Sequence, residues 1–247
     1  MDNTQRFSDR VDHYVKNRPG YPAALLPLLA EKMGLLPSWT LADIGSGTGL
    51  SARPFLENGN RVFAVEPNAP MRAAAESWLN HFAGFHSLDG TAEHTTLPEN
   101  SIDLIVCAQA FHWFDREKAA AEFERIRRPK GQTLLLWNYR DQSDPFQRAY
   151  DRLLAGNIEN YAALVHRNVT VGQIEAFLSP RPVATATLPY HQMLDLDGLK
   201  GRLLSSSYAP GSGPAYERII RGLEELFGQF SSSGQVRFQY QTCAFWG

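Results

Sequence analysis

The stretch that most constrains the fold is a short apolar run that leads into three glycines at alternate positions. Residues 40–49 read Thr-Leu-Ala-Asp-Ile-Gly-Ser-Gly-Thr-Gly. Leu41 and Ile44 are typical of a strand buried in a sheet, and Asp43 lies near the end of that strand. Glycine has no Cβ, so these positions permit a tight turn and a close approach of the backbone to a ligand. The run therefore predicts a strand–turn–helix unit whose turn binds a ligand.

A second unit of the same kind follows. Residues 61–67 read Arg-Val-Phe-Ala-Val-Glu-Pro, an apolar strand that ends in a carboxylate. Glu66 lies about twenty residues after the first glycine, where nucleotide-binding folds hold a ribose diol. A carboxylate offers acceptors to both ribose hydroxyls in charge-assisted hydrogen bonds. The two units together predict a ligand that carries a nucleoside.

The first half of the chain alternates between strand and helix patterns. The predicted strands are 40–44, 61–65, 82–86, 102–108 and 132–138, and the predicted helices are 21–33, 48–58, 69–80 and 115–128. Residues 128–131, Arg-Pro-Lys-Gly, predict a turn before the last of these strands. Such alternation predicts an α/β fold with a doubly wound, Rossmann-like parallel sheet that binds ligands at the carboxyl ends of its strands.

The second half predicts helices and two more strands. We expect helices of an insertion within 144–182, a strand at 183–196, helices at 199–207 and 216–230, and a last strand at 235–245. The insertion and the loop at 205–214 are expected to form a lid over the site. We divide the chain into an N-terminal flap and helix (1–34), a cofactor-binding core (35–140), and a helical lid with the final strands of the same domain (141–247).

Five motifs in order resemble those of a known enzyme family. The glycine turn after Asp43, Val65-Glu66-Pro67-Asn68, Gly90-Thr-Ala-Glu93 and Leu97-Pro98 resemble the class I S-adenosylmethionine-dependent methyltransferases. Residues 109–115, Gln-Ala-Phe-His-Trp-Phe-Asp, and the opening Phe7-Ser8, Tyr14 and Arg18-Pro19-x-Tyr21-Pro22 are similar to its trans-aconitate-methyltransferase-like branch, which carries the methyltransferase type 11 domain. The resemblance covers residues 5 to about 140. It implies a seven-stranded, mostly parallel sheet that two last strands close, one of them antiparallel.

The resemblance also implies S-adenosylmethionine as cofactor. The expected cofactor-binding residues are Tyr14, Arg18, Asp43, Gly45, Ser46, Gly47, Gly49, Glu66, Pro67, Met71, Thr91, Ala92, Glu93, Gln109 and Ala110. We expect the N–H groups of the glycine turn and Arg18 to bind the methionine carboxylate, and Asp43 to bind the ammonium. Met71 either flanks the adenine or is an ordinary core residue. Many relatives carry Asp where Thr91 stands, which leaves open the side chain that reads the adenine amine.

Residues 109–114 are expected to lie beside the reacting methyl group, because they leave a central strand at its carboxyl end. The predicted catalytic residues are His112, Trp113 and Phe114. The two aromatic rings are suited to surround a sulfonium cation. Histidine titrates near neutral pH, so His112 is a candidate base for a hydroxyl or amine acceptor, whereas a carboxylate acceptor needs no base. The alternatives are a structural hydrogen bond for His112 and simple packing for the rings.

The sequence thus predicts methyl transfer to a small molecule, with the carboxylate of a small acid as the first choice of acceptor and S-adenosylhomocysteine as product. Hydroxyl, amine and thiol acceptors stay open. One alternative is an NAD-dependent oxidoreductase, which Leu50 disfavours because the dinucleotide pattern needs a glycine there. Another is a module that binds S-adenosylmethionine without turnover. Arg140, Tyr139, Tyr208, His166 and His191 are further candidates for the acceptor pocket.

Composition limits the partners. A formal net charge of −2 gives no field that attracts nucleic acid. No apolar stretch reaches the length of a signal peptide or a membrane span, so we expect a cytoplasmic protein without a membrane partner, monomeric or homodimeric. Cys107 and Cys243 are expected to be free buried thiols. We expect no metal, because the chain has no Cys-x-x-Cys or His-x-x-x-His pair.

Overall fold

The computed structural model describes residues 17–161, 170–206 and 208–247. In chain order its elements are α1 (Leu25–Met33), β1 (Thr40–Ile44), α2 (Ala52–Glu57), β2 (Arg61–Val65), α3 (Ala69–Leu79), β3 (Phe85–Leu88), β4 (Ile102–Ala108), α4 (Arg116–Ile126), β5 (Arg127–Arg140), α5 (Pro145–Ala155), α6 (Val171–Leu178), β6 (Ala184–Leu194), α7 (Leu196–Leu204), α8 (Gly213–Phe230) and β7 (Val236–Trp246). A 3₁₀ turn, Phe111–Trp113, follows β4.

The seven strands form one sheet in the order β3-β2-β1-β4-β5-β7-β6. β7 runs antiparallel to both neighbours, β5 and β6, and the other pairings are parallel. The predicted α/β class, the strand number and the single antiparallel strand are confirmed. β1 pairs with β2 from Thr40–Arg61 to Ile44–Val65, so the glycine turn and Glu66 leave the sheet at the same edge. This register places both sequence motifs at one site.

Helices cover both faces of the sheet, as a doubly wound fold requires. On one face α1, α2 and α3 pack through side chains such as Leu29, Phe55 and Leu79. On the other face α4 and α6 pack through Phe123 and Ile174. β4 contributes to both clusters, because its successive side chains alternate between the faces. The core strands are therefore buried on both sides, which explains why their sequences are continuous apolar runs.

A third cluster joins the C-terminal helices to the last strands. α5, α7 and α8 pack through Tyr150, Leu203 and Ile219 around Phe238 and Tyr240 of β7. These helices come from the part of the chain for which we predicted a lid, and the lid role stays a prediction. Among the described residues, no helix is both long and apolar enough to cross a membrane.

Several boundaries differ from the sequence prediction. β3 begins at Phe85 instead of 82, because Phe82 and Phe85 form turns with hydrogen bonds from Phe82 N–H to the Leu79 carbonyl and from Phe85 N–H to the Phe82 carbonyl. α1 begins at Leu25 and α2 at Ala52, later than predicted. The later start of α2 follows from the glycine turn, which uses residues that we had assigned to the helix.

The predicted turn at 128–131 is instead part of a longer β5, which begins at Arg127. The pairing of β5 with β4 shifts there, from Ile102–Arg127 to Leu104–Gln132, so β5 carries extra residues in a bulge. α7 begins three residues before its predicted start, since the Asp195 carboxylate caps it by accepting from the Gly198 N–H at 2.7 Å. Cys107 and Cys243 are free thiols, and only Cys107 is fully buried.

Candidate functional site

The glycine turn depends on glycine for two physical reasons. Gly45, Gly47 and Gly49 have φ values of +68°, +56° and +82°, a region that other residues adopt only with strain. A Cβ on Gly45 would lie 2.6 Å from the Cβ of Ala110, and one on Gly49 would lie 2.3 Å from Cδ1 of Leu79. The backbone of the turn therefore approaches both the segment after β4 and helix α3 more closely than a side chain would allow.

Glu66 is tied to this turn. Its Oε2 accepts a hydrogen bond from the Gly47 N–H at 2.9 Å, and its Oε1 accepts one from the Asn68 N–H at 2.9 Å. The side chain is 9 % exposed, and burial raises the pKa of the carboxyl. Each carboxylate oxygen has a second lone pair. Glu66 is therefore fixed by the protein and retains acceptor capacity on both oxygens, which suits a diol.

Asp43 is a second buried carboxylate at the same edge of the sheet. The Ser51 hydroxyl donates to its Oδ2 at 2.6 Å, while Oδ1 has no hydrogen-bond partner among the described residues. Burial is the main cause that raises the pKa of Asp43 to about 7, and the charge of Glu66 adds to it. An unsatisfied carboxylate oxygen in a buried site is costly unless a donor or a cation binds to it. Asp43 is thus a candidate for binding a cationic group.

Most backbone N–H groups of the turn are donated within the protein. Gly45 and Ser46 both donate to the Val65 carbonyl, at 2.9 and 3.2 Å, and Gly49 donates to the Ser46 carbonyl at 2.9 Å. The N–H of Gly47 is donated to Glu66. Binding of a ligand carboxylate by N–H groups of this turn stays a prediction.

A small cleft, partly open to solvent, lies beside the turn. Gly45, Ser46 and Gln109, which follows β4, are among the residues that line it. Gln109 adopts φ +59°, and its N–H donates to the Leu136 carbonyl at 3.0 Å. A non-glycine residue in this conformation is uncommon and is often associated with functional sites. Ala110, the residue after Gln109, is buried and packs against Gly45.

The predicted adenine segment forms a tight turn. The N–H groups of Thr91 and His94 each donate to the other's carbonyl, at 3.0 and 3.3 Å, and Ala92 is buried between them. Oε1 of Glu93 accepts from the Asp115 N–H at 2.8 Å. Glu93 therefore connects this turn to the start of α4, which is a structural contact that the sequence did not predict.

Met71 lies close to the glycine turn. Its Sδ is 4.0 Å from the place where a Cβ on Gly47 would lie, and its side chain is 4 % exposed. Asn68, two residues after Glu66, caps α3 by accepting from the Met71 N–H at 3.0 Å. Pro67 is half-buried between the carboxylate and this cap. Met71 therefore lies at the sheet edge where the ligand is expected, because Glu66, Pro67 and the helix cap follow one another directly after β2.

The aromatic segment after β4 is a compact cluster. Phe114 packs on the glycine turn, with its ring 3.6 Å from the place where a Cβ on Gly45 would lie. The half-buried His112 ring has its centroid 4.5 Å from that of Trp113 and 5.6 Å from that of Trp137. Trp137 belongs to β5 and was not singled out in the sequence. The structure therefore joins His112, one of the three predicted catalytic residues, to a further aromatic side chain on the neighbouring strand.

Arg18 lines the cleft, and its Nη2 donates to the Ser205 carbonyl at 2.7 Å. This contact joins the N-terminal segment to the end of α7. Tyr14, the other expected cofactor contact in this segment, lies outside the described residues, as does His166.

Comparison with known proteins indicates the kind of domain. Residues 42–135 match the model of a family described as a methyltransferase domain. This segment of the chain is similar to a methyltransferase domain. The matched residues run from β1 into β5 and include the glycine turn, Glu66 and the aromatic cluster. The recognised family of the sequence analysis is confirmed at this level, and the narrower branch stays a prediction.

Relatives and solved structures agree with the methyltransferase domain. An uncharacterized methyltransferase of Mycobacterium tuberculosis is 35 % identical over 145 residues, which are 57 % of this chain and 55 % of the relative. The match thus spans about half the length of the relative. A putative type II methyltransferase from Anaeromyxobacter dehalogenans is 24 % identical with a TM-score of 0.64, over 93 % of this chain and 97 % of that one.

A second similar structure is phosphoethanolamine N-methyltransferase 2 of Haemonchus contortus, solved in complex with S-adenosyl-L-methionine. It is 18 % identical with a TM-score of 0.60, over 99 % of this chain and 58 % of that one. At these identities, the two structural matches show a shared fold.

Three further residues line the cleft that the sequence did not predict for the site. Asn138 of β5, Arg202 of α7 and Tyr240 of β7 all line the cleft. Their positions depend on strand pairing between segments about a hundred residues apart, which no local pattern reveals. Conversely, His191, a candidate for the acceptor pocket, is exposed on β6 beside Arg237. That candidate is wrong for the cleft, because its side chain belongs to the outer face of the edge strand.

Proposed function

We propose that this protein catalyses methyl transfer from S-adenosylmethionine to a small-molecule acceptor and releases S-adenosylhomocysteine. The observation that carries the proposal is the pair of buried carboxylates at one sheet edge. Asp43 has an oxygen without a partner among the described residues, and Glu66 is held by the glycine turn with acceptor capacity left on both oxygens. A ligand with a cation and a diol matches both groups.

The other residues of the site fit the same cofactor. When bound, S-adenosylmethionine supplies a methyl group activated by a sulfonium. Asp43 would accept from its ammonium and Glu66 from the ribose diol. Ala92 lies in a tight turn that offers backbone groups to the adenine, and Met71 lies beside the glycine turn. Arg18, which lines the cleft beside the turn, is our candidate for the methionine carboxylate, by a bidentate pair.

The aromatic cluster is proposed to position the acceptor and exclude water. Phe114 packs directly on the glycine turn, and Trp113 contacts His112 in the same 3₁₀ turn. Aromatic faces attract cations and offer no water to compete with the acceptor, so they favour in-line displacement at a sulfonium. The helices beside the cleft are proposed to act as a lid that completes this exclusion.

The acceptor we propose is the carboxylate of a small acid. A carboxylate is already ionised at neutral pH, so its oxygen attacks without losing a proton. His112 would then orient the loop. With a hydroxyl or amine acceptor, His112 would instead take the proton. The two cases differ in how strongly turnover depends on His112, which is testable.

Isothermal titration calorimetry tests the cofactor first. We expect micromolar binding of S-adenosylmethionine and S-adenosylhomocysteine and no binding of NAD, and we expect Glu66→Gln to weaken the first two. Release of S-adenosylhomocysteine is then measured with panels of small acids, alcohols and amines. Binding of NAD alone would indicate an oxidoreductase. Binding of S-adenosylmethionine with no turnover on any panel would favour a module that holds the cofactor without catalysis.

A further inference from the structure

One buried cation in the cleft is not paired with any carboxylate of the described residues. Arg202 lines the cleft and is 6 % exposed. Its Nε donates to the Tyr240 hydroxyl at 2.9 Å and its Nη1 to the Ser206 hydroxyl at 3.1 Å. Among the described residues, no Asp or Glu forms a salt bridge with it. Buried arginines are almost always paired with an anion, so we expect Arg202 to bind one.

Neutral groups hold this guanidinium in place. The Tyr240 hydroxyl accepts from Arg202 and donates to Oε1 of Gln192 at 3.0 Å. The guanidinium carbon lies 5.6 Å from the ring centroid of Phe238 and 6.0 Å from that of Tyr240. These contacts fix the orientation of the side chain and leave its charge uncompensated. Such a preorganised guanidinium loses little freedom when it binds a planar anion.

The neighbouring charges add to the positive potential. Burial by itself would raise the pKa of Tyr208, but the charges of Arg140, Arg202 and Arg18, together with a hydrogen bond with Ser206, outweigh burial and lower it. Arg140 has its own partner, since its Nη2 lies 2.9 Å from Oδ1 of Asp151. Of Arg140 and Arg202, Arg202 is therefore the one whose charge is left for a ligand. A cleft with this potential attracts anions although the chain as a whole is slightly acidic.

We propose that Arg202 binds an anionic group of the methyl acceptor and thereby selects small acids over their neutral analogues. The proposal rests on the proposed function and assigns it a specificity-determining residue. Arg202 and the glycine turn line the same cleft, so an acceptor held by the guanidinium faces the site of methyl transfer. Tyr240 and Gln192 act through Arg202 as positioning residues.

The test compares acids with their amides. Protein saturated with S-adenosylhomocysteine is titrated with acetate, succinate and citrate, and with acetamide and succinamide, at constant ionic strength set with sodium chloride. We expect at least one acid to bind and the amides not to bind. Arg202→Met is expected to weaken acid binding by about 10- to 100-fold, the usual effect of losing a charged hydrogen-bonded pair. Its affinity for S-adenosylmethionine is expected to stay unchanged.

Two further variants serve as controls. Arg237→Met removes an equal charge from an exposed position on β7 and is expected to leave acid binding as in the wild type. Arg202→Lys keeps the charge without the planar fork, so it is expected to prefer acids with reduced affinity. Circular dichroism would reveal whether Arg202→Met folds. If it does not fold, the acid affinity of Arg202→Lys decides whether Arg202 binds the anion.

Three results would overturn the proposal. The first is equal binding of acids and amides to the wild type, and the second is unchanged acid binding in both Arg202 variants. The third is weaker binding of S-adenosylmethionine in those variants, because this result would assign Arg202 to the methionine carboxylate. The titrations are repeated without S-adenosylhomocysteine. Failure of the wild type to bind that molecule would refute the proposed function, while the comparison of acids and amides would still decide for or against Arg202 as an anion site.

Discussion

Asp43→Asn is predicted to gain stability relative to the wild type as the pH rises, in the protein without cofactor. The Asp43 side chain is 1 % exposed, and burial raises the pKa of its carboxyl to about 7. In the unfolded chain an aspartate titrates near pH ~3.9. Between these two values the unfolded chain has lost a proton that the folded protein keeps. The free energy of unfolding of the wild type therefore falls as the pH rises through this window.

The size of the effect follows from the difference between the two pKa values. A difference of about three units, at about 1.4 kcal/mol each, corresponds to a total loss of ~4 kcal/mol. Between about pH 5 and about pH 8 the wild type should lose ~2–3 kcal/mol through this group alone. Asparagine cannot ionise, so the variant avoids this loss. A buried amide N–H without an acceptor would cost about 1–3 kcal/mol, but this cost does not depend on pH.

Urea unfolding of both proteins, followed by tryptophan fluorescence at several pH values without cofactor, measures the difference. The difference in unfolding free energy should grow in favour of Asp43→Asn by ~2–3 kcal/mol from about pH 5 to about pH 8. Asp197→Asn, at an exposed position on α7, controls for the loss of one negative charge. A difference that changes by less than ~1 kcal/mol across this range would refute the assignment of a raised pKa to Asp43. Asp43→Asn should also bind S-adenosylmethionine at least about tenfold more weakly than the wild type, since a neutral amide cannot replace the charge of the carboxylate.

Three further predictions test the other parts of the site. Glu66→Gln should weaken S-adenosylmethionine binding by about tenfold or more in calorimetry, because one acceptor oxygen becomes a donor; unchanged affinity would exclude Glu66 as the ribose ligand. Gly49→Ala should lower the unfolding free energy by about 2–4 kcal/mol, from left-handed strain and the contact with Leu79. Gly234→Ala shares the positive φ without a close neighbour, so it should cost less in the same urea titration, and equal losses would contradict the role of the contact. His112→Gln should keep kcat within about tenfold on a carboxylate acceptor, whereas a loss of about 10²–10⁴ would indicate removal of a proton and hence a hydroxyl or amine acceptor.

The part of the fold that the sequence predicted is the part with local signals. β1, β2 and β4 have the predicted bounds, because an apolar run bounded by polar or glycine residues defines a buried parallel strand. Gly45, Gly47 and Gly49 were predicted to form a turn, and their positive φ values confirm it. Glu66 was placed beside that turn by its spacing alone, and the hydrogen bond with Gly47 bears this out.

The predictions failed where a neighbouring strand decides the geometry. The N–H groups of Gly45 and Ser46 donate to the Val65 carbonyl at the end of β2, a contact that the sequence did not predict. The predicted turn at 128–131 became part of β5, because Arg127 pairs with Ile102 of β4. Hydrogen bonds between strands outweigh local turn preference, and which strands pair cannot be seen from one segment.

The sequence by itself determined the class of the sheet, the glycine turn and the carboxylates that flank it, since each depends on residues within one strand–turn–helix unit. Only the tertiary structure decided which residues of the C-terminal half line the cleft. β7 inserts antiparallel between β5 and β6, and this topology brings Tyr240 next to Arg202 and both of them to the cleft. That juxtaposition arises from pairing between strands that are distant in sequence. It also arises from burial, because buried polar side chains are stable only where the fold places hydrogen-bond partners beside them.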